Sequence, residues 1–442
     1  MPVNVVQTRA ADVSREILRG LFGDQPTGLV VRLWDGTLWP AAPSRQADAV
    51  LVLTHPGALR RMVGFPLDVA IGESFIRGDF EVEGNLEAAL QAAEHLADLA
   101  RGPRVYLGLD HLVSSLPRAG GSQAPAAPRP ARLRGARHSR ERDRQAIAHH
   151  YDVGNDFFRL WLDRRMTYSC AYFPQGDEDL DAAQEAKLEL ICRKLRLQPG
   201  ERVLDIGCGW GGLVQYAAER YGVAALGITL SERQAEVATA QIQAAGLAGR
   251  CRVLVQDYRD LPAEPFDKVA SVGMFEHVGR AQLPAYFGAA WSALRPGGLF
   301  LNQGIAANGQ SRRRPNGRPS FIDTYIFPDG ELVSINEALG AAEQAGFEVR
   351  DVESLREHYA LTLRHWVRRL EAHRDEALTT AGDAIYRTWR LFMAASAHGF
   401  ATGRLNVYQA LLAKPDPGGR SGLPLSRADM YTCEGCAGRA LV

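Results

Sequence analysis

Val203-Leu204-Asp205-Ile206-Gly207-Cys208-Gly209-Trp210-Gly211-Gly212 reads as a buried strand that stops abruptly in a glycine-rich turn. Glycine lets the backbone approach a ligand closely, because a Cβ would collide with it or forbid the required dihedrals. Leu213, Tyr216 and Ala217 follow at helical spacing. The turn's amides and the helix N-terminus therefore face one pocket above the sheet edge. The pattern predicts a nucleotide-type cofactor site.

Neighbouring residues narrow the cofactor. A dinucleotide fingerprint is Gly-x-Gly-x-x-Gly with a ribose-binding carboxylate roughly 20 residues on. Here the glycines run Gly207-x-Gly209-x-Gly211-Gly212, and the next strand pattern, Ala224–Ile228, ends in Thr229-Leu230-Ser231 with no acid. No Lys-Ser/Thr follows the loop, which excludes a triphosphate P-loop. Asp205-x-Gly-x-Gly-x-Gly instead resembles the first motif of S-adenosylmethionine (SAM) methyltransferases.

The chain has 442 residues, room for two or three domains and a large core. With 51 basic and 51 acidic residues its formal charge is zero, so no global field draws it to nucleic acid, and no nucleic-acid partner is expected. No apolar run approaches the ~18 residues of a membrane span, and the N-terminus lacks a signal-peptide apolar stretch. Six cysteines suit a reducing cytosol, not a disulfide framework. Cys433 and Cys436 have metal-hook spacing without a second pair, so no metal site is expected.

Four zones are expected. Residues 1–112 alternate strand patterns (Leu29–Leu33, Ala49–Thr54) with helical ones (Leu86–Leu99), and Gly72–Phe80 reads as a turn feeding a strand. This is a small α+β domain that looks like the sterol-carrier type. Residues 113–145 shift to Pro, Ala, Gly and Arg, the composition of a linker. Its eight arginines (118, 129, 132, 134, 137, 140, 142, 144) make either a solvated tether or a polybasic strip for acidic phospholipids. Residues 146–414 carry a βαβ pattern, with Asp181 and Gln184 read as a capping box and strands at 202–206, 224–228, 252–256, 267–273 and 298–302. Such alternation predicts an α/β, Rossmann-like, mostly parallel sheet covered on both faces by added helices, with its crevice at the carboxyl ends of the strands. Two amphipathic segments follow, one with Leu363, Trp366, Val367 and Leu370, the other with Ile385, Trp389, Phe392, Met393 and Ser396. Residues 415–442 are Pro- and Gly-rich at first and read as a disordered tail.

Further motifs stand around the glycine loop: Tyr151–Phe158, Met166–Phe173, Gly227–Gln234, Gln256–Asp260, Ser271–Gly279, Phe321–Pro328 and Glu357–Leu363. Together, in this order, they resemble the cyclopropane-fatty-acyl-phospholipid synthases, SAM-dependent enzymes that modify unsaturated acyl chains; the similarity runs from about Ala148 to Lys414. The resemblance implies cofactor contacts at Tyr168, Ser169, Asp205, Gly207, Cys208, Gly209, Gly211, Thr229, Leu230, Gln234, Asp257 and Tyr258. Thr229 and Gln234 supply neutral hydrogen bonds where a ribose carboxylate is missing, and Asp257 is suited to accept from the adenine amino group. Thr229 and Ser231 also suit a helix N-cap.

A cis alkene is a poor nucleophile and must meet the sulfonium methyl in line, in a dry pocket. Methyl transfer leaves a carbocation, so the pocket needs an anion and a base beside the new methyl group. Glu276, at the strand-to-loop break after Met274-Phe275, is the best carboxylate for that field. The resemblance implies a bicarbonate base held by groups at Cys170, Glu276, Ile305 and Tyr359. It also marks two departures. Gln303 stands where the family commonly has histidine, and can hydrogen-bond an anion but carries no proton; Ser396 stands where a cysteine is common. His277 and His358 flank these motifs and read as structural.

The expected activity is methylene transfer from SAM to a cis double bond of a phospholipid acyl chain, closing a cyclopropane. The competing readings are a methylene or methyl branch from the same transfer, and a non-catalytic lipid-binding protein. Lifting an acyl chain from a bilayer costs about 0.8 kcal/mol per methylene, roughly 8 kcal/mol for ten, so an apolar tunnel is needed. Phe157, Phe158, Tyr172, Phe173 and the C-terminal amphipathic segments are candidates to line it. The expected setting is the cytoplasm, peripheral at the inner membrane face, with a homodimer left open.

Overall fold

The computed structural model describes residues 2–23, 29–41, 47–64, 66–99, 110–118, 130–151, 153–261, 264–308 and 319–431. Cys433, Cys436, Arg129 and Asp152 lie outside these. The chain forms two compact units. The first comprises Met1–Pro130, Arg314–Ile326 and Arg374–His398; the second comprises Ala131–Arg313, Phe327–His373 and Gly399–Val442.

In the first unit, β1 (Leu29–Arg32), β2 (Leu38–Trp39), β3 (Ala49–Leu53) and β4 (Phe80–Gly84) form a sheet of order β2-β1-β3-β4. Its β1–β3 pair is parallel and its outer pairs antiparallel. Val31, Leu53, Phe75, Ile76 and Phe80 fill its core. The expected turn over Gly72–Phe80 is corrected: Leu67–Ile76 is helical. Gly72 is glycine because Phe321 lies against it, and a Cβ there would meet the ring at 2.3 Å. The chain turns instead at Gly78, whose φ is +72°. Phe321 N–H donates to Asp68, and the Tyr325 hydroxyl to Glu73 at 2.7 Å. An expected catalytic stretch continuous from 146 to 414 is thus corrected as well, since two of its segments fold with the N-terminal sheet.

The second unit is built on β5 (Arg202–Ile206), β6 (Ala224–Thr229), β7 (Cys251–Val255), β8 (Phe266–Val272), β9 (Leu294–Ala307), β10 (Glu348–Ser354) and β11 (Leu405–Ala413), in the order β10-β11-β9-β8-β5-β6-β7. From β9 to β7 all neighbours are parallel; β11 is antiparallel to both β9 and β10. Alternate residues of β5 feed the two faces. Val203 joins the core under the helices Leu180–Leu195, Gly212–Tyr221 and Glu232–Ala244, while Leu204 and Ile206 join the core under Leu283–Ala293 and Ile335–Gln344. The chain leaves β5 toward β6 and β7 on one side and returns as β8 on the other. The crevice beyond the carboxyl ends of β5 and β8 is therefore a topological switch point, where α/β sheets bind ligands.

Three other expectations need correction. The Leu180–Leu195 helix is capped by Asp179, whose carboxylate accepts from Ala182 N–H; Asp181 instead accepts from Arg164 N–H and pairs with Arg369. The end of the expected linker is helical, Arg140–Tyr151, because its charges find partners: Arg140 with Asp260, Arg142 with Asp329, and Asp143 with Arg259. The expected disordered tail is instead anchored near its described end, at Asp429 and Met430. Met430 is buried in the core with the Leu180–Leu195 helix, and Asp429 pairs with Arg196.

Candidate active site

The glycine loop folds as its sequence demands. Gly207 has φ +82°, and a Cβ on it would meet Met274 Cβ at 2.7 Å. Gly211, at φ +79°, starts the Gly212–Tyr221 helix. The N–H groups of Gly207 and Cys208 both donate to Ile228 O at 2.9 Å, tying the loop to β6. The Cys208 thiol packs into the core against Gly227, so the cofactor contact expected at Cys208 falls to its backbone.

Two pockets meet at this loop and share Tyr151, Gly207, Gly209, Gln234 and Gly273. The larger encloses about 830 Å³ and is lined on one side by Ile206, Ile228, Thr229 and Leu230, on the other by Asp143, Ala146 and Ile147 of the Arg140–Tyr151 helix. Thr229 Oγ1 donates to Gln234 Oε1 at 2.7 Å, which fixes the amide and offers its NH2 to other partners; Ser231 caps the following helix. Tyr258 lines the pocket, but Asp257 does not. Both Asp257 oxygens accept from Arg259, at 2.6–2.9 Å. Burial alone would raise that carboxyl, yet the Arg259 bonds hold it below the ordinary range. The expected adenine acceptor is thus engaged by its own neighbour. Gln256, Tyr258 and Arg259 present the surface instead. Arg259 carries no sequence signal, because its other partners, Asp143 and His138 O, lie more than a hundred residues away. His277 also lines this pocket, and burial pulls its imidazole down to about 4, so it is neutral near pH 7.

The smaller pocket, about 530 Å³, is polar and lies on the face of β5 covered by the Leu180–Leu195 helix. Asp205, Ser169 and Lys187 line it and are all buried. Burial pushes the Asp205 carboxyl up to about 7 and the Lys187 ammonium down to about 8. Lys187 was missed in the sequence. Its only mark there is a charge in helical phase with Leu180, Gln184, Leu188 and Ile191.

The expected catalytic group gathers beyond β8. Glu276 sits in the short helix Phe275–His277. Its Oε1 accepts from Ile305 N–H at 2.7 Å, and its Oε2 is buried with no hydrogen-bond partner among the described residues. Burial pushes the carboxyl up to about 7, against the bond from Ile305. The Tyr168 and Tyr359 hydroxyls, pushed well up by burial, both feel this carboxylate. The Tyr359 ring packs on Phe400 at 4.6 Å and edge-on to Trp366. Cys170 is buried, and its thiol hydrogen bonds to the carbonyls of Ala171 and Leu355. Burial raises it further, so it is no thiolate. Gln303 is fixed from below: Gln409 Nε2 donates to its oxygen at 2.8 Å, and Lys194 holds Gln409 in turn. Ser396 belongs to the first unit. His358 accepts from Phe173 N–H through Nδ1, a structural part. Phe157 and Phe158 are fully buried among Trp161, Tyr168 and Trp210, which is core packing and no tunnel wall.

Residues 138–410 match the family described as mycolic acid cyclopropane synthetase. The chain belongs to that family. It is 40% identical over 406 residues to a probable fatty acid methyltransferase of Pseudomonas putida, covering 91% of this chain and 96% of that one. It is 38% identical over 278 residues to the cyclopropane-fatty-acyl-phospholipid synthase of Escherichia coli, covering 63% and 69%. Among solved structures it resembles mycolic acid cyclopropane synthase CmaA1 complexed with SAH and CTAB, at 36% identity and TM-score 0.58 over 61% of this chain and 97% of that one. The cyclopropane synthetase fold places the chain among SAM-dependent methyltransferases, and the loop, switch point and two pockets are the parts that fit SAM.

Proposed function

We propose that this cyclopropane synthetase transfers a methyl group from SAM to a cis double bond of a phospholipid acyl chain and closes the ring. Support rests chiefly on Glu276, a buried carboxylate fixed by Ile305 N–H and close enough to Tyr168 and Tyr359 to act on both hydroxyls. SAM supplies an electrophilic methyl on a sulfonium. The alkene π electrons form the new C–C bond while the S–C bond breaks, leaving its electron pair on sulfur and a positive charge on the adjacent chain carbon. A preorganised anion in a water-excluded site lowers the free energy of that charge, and Glu276 fills this role. Loss of a proton from the new methyl group then closes the three-membered ring.

That proton needs an acceptor. A bicarbonate ion fits beside Glu276 when the two share a proton, since adjacent anions repel, and a carboxyl held near 7 is suited to this. Tyr359 and the Gln303 amide NH2 are the donors the chain offers it. Ile305 N–H already serves Glu276.

A second reading has one observation in its favour. Gln303 has no titratable proton and its oxygen is held by Gln409, so the cation has less basic help at the new methyl group. A 1,2-hydride shift onto the cationic carbon followed by loss of a methyl proton gives a methylene branch, and a saturated methyl branch requires a separate hydride donor to reduce that methylene. A phospholipid substrate would bring the enzyme to a membrane surface; among the described residues no helix is long and apolar enough to cross one. Expression in a host lacking acyl-methylating enzymes, followed by mass spectrometry of fatty acid methyl esters, decides between ring and branch. Products one CH2 heavier with no ring and no branch, or label from SAM confined to headgroups, would refute both. Gln303→His should move the ratio toward the ring.

A further inference from the structure

Buried charges are gathered around Ser169 in the polar pocket. From one face of the Leu180–Leu195 helix, Gln184 and Lys187 reach the strap at Thr167–Ser169. Gln184 Nε2 donates to Thr167 O at 3.2 Å and Ser169 O at 2.9 Å, and Lys187 Nζ donates to Ser169 Oγ at 2.9 Å. Across the pocket Asp205 Oδ1 is buried with no hydrogen-bond partner among the described residues. Burying an ammonium and a carboxylate is expensive unless something repays it.

Lys187 and Asp205 oppose each other in charge, but the protein's own partners leave hydrogen-bonding capacity on both. The other carboxylate facing Lys187 is Asp163, but its oxygens are already engaged by Arg165 N–H, Thr167 N–H and the Thr167 hydroxyl. A lysine ammonium has three donors, and Ser169 takes one. A polar pocket with an under-satisfied cation on one wall and an under-satisfied anion on the other is complementary to a zwitterion. The amino-acid end of SAM is one, carrying an α-ammonium and an α-carboxylate.

We propose that Lys187 recognises the α-carboxylate of SAM, directly and through the Ser169 hydroxyl it orients, which leaves Asp205, already expected among the cofactor contacts, for the α-ammonium. The inference rests on the SAM-binding reading above and adds a specificity residue outside the glycine loop. The test compares S-adenosylhomocysteine with its decarboxylated analogue, which keeps the amine and lacks the carboxylate, by calorimetric Kd on the full chain. Wild type should prefer S-adenosylhomocysteine by tenfold or more. Lys187→Met should weaken that ligand by about that factor, leave the analogue within twofold, and so abolish the preference. Lys187→Gln, which can still bond Ser169, should do the same if the Met variant fails to fold, and Lys187→Arg should retain the preference. A wild type that does not distinguish the ligands, or variants that lose both equally, would overturn the assignment in favour of a structural lysine. Failure of wild type to bind S-adenosylhomocysteine at all would instead remove the SAM reading itself.

Discussion

Replacing Glu276 by Gln separates what the carboxylate does for stability from what it does for the reaction. Raising a carboxyl from 4.5 to about 7 by burial means the folded state disfavours the anion. At 1.36 kcal/mol per tenfold change in proton affinity this amounts to at most about 3 kcal/mol. Gln keeps the shape and can still accept from Ile305 N–H, and the value near 7 is already net of that bond. The net expectation at pH 8 is a variant more stable by at most about 3 kcal/mol. The sign follows from linkage. Below pH 4.5 the carboxyl is protonated in folded and unfolded chains alike, so the penalty is absent; it grows from pH 4.5 to 7 and is complete above 7. Thermal unfolding of both proteins from pH 5 to 8.5 should therefore show Tm values that start together and separate by several degrees, the variant higher. Methyl transfer should fall a hundredfold or more, as for loss of one preorganised electrostatic group. A Tm difference that ignores pH, or a variant less stable at pH 8, would refute the account of Glu276 as a strained buried anion.

Gly207→Ala combines a positive φ with a Cβ 2.7 Å from Met274 Cβ; equilibrium dialysis should show S-adenosylhomocysteine bound more than tenfold more weakly. Tyr359→Phe keeps the ring on Phe400 and Trp366, so circular dichroism should stay native while turnover drops at least tenfold. Cys170→Ser retains a donor for the Ala171 and Leu355 carbonyls; with the thiol raised by burial, turnover should change less than threefold and iodoacetamide should leave wild type active.

Much of the second unit was legible because its signals are local. The glycine loop, the run from β5 through β8, and Glu276 at a strand end can all be read from a few consecutive residues. Pairings across long separations are not local, and there the reading failed or stayed silent. β11 enters the sheet by pairing Leu405 with Ala307 and Ala413 with Leu299, which no window of sequence reveals. The arginines at 140 and 142 looked like a tether by composition, yet Asp260 and Asp329 order them. Gln184 resembled half of a capping box because the spacing fits, while its true targets are carbonyls on the Thr167–Ser169 strap. Asp257 read as an adenine acceptor, but its capture by Arg259 depends on a turn geometry that spacing alone does not give.

The first unit draws on chain up to His398. During synthesis, its opening 130 residues must therefore wait for some 268 more before the last segment arrives, 398 less 130. At roughly 5–20 residues per second that delay is on the order of 15–50 s. Phe75, Ile76 and the Gly72 surface that receives Phe321 emerge from the ribosome long before their late partners. The nascent N-terminal third thus carries apolar surface without its late partners for that interval, the condition under which chains misassemble.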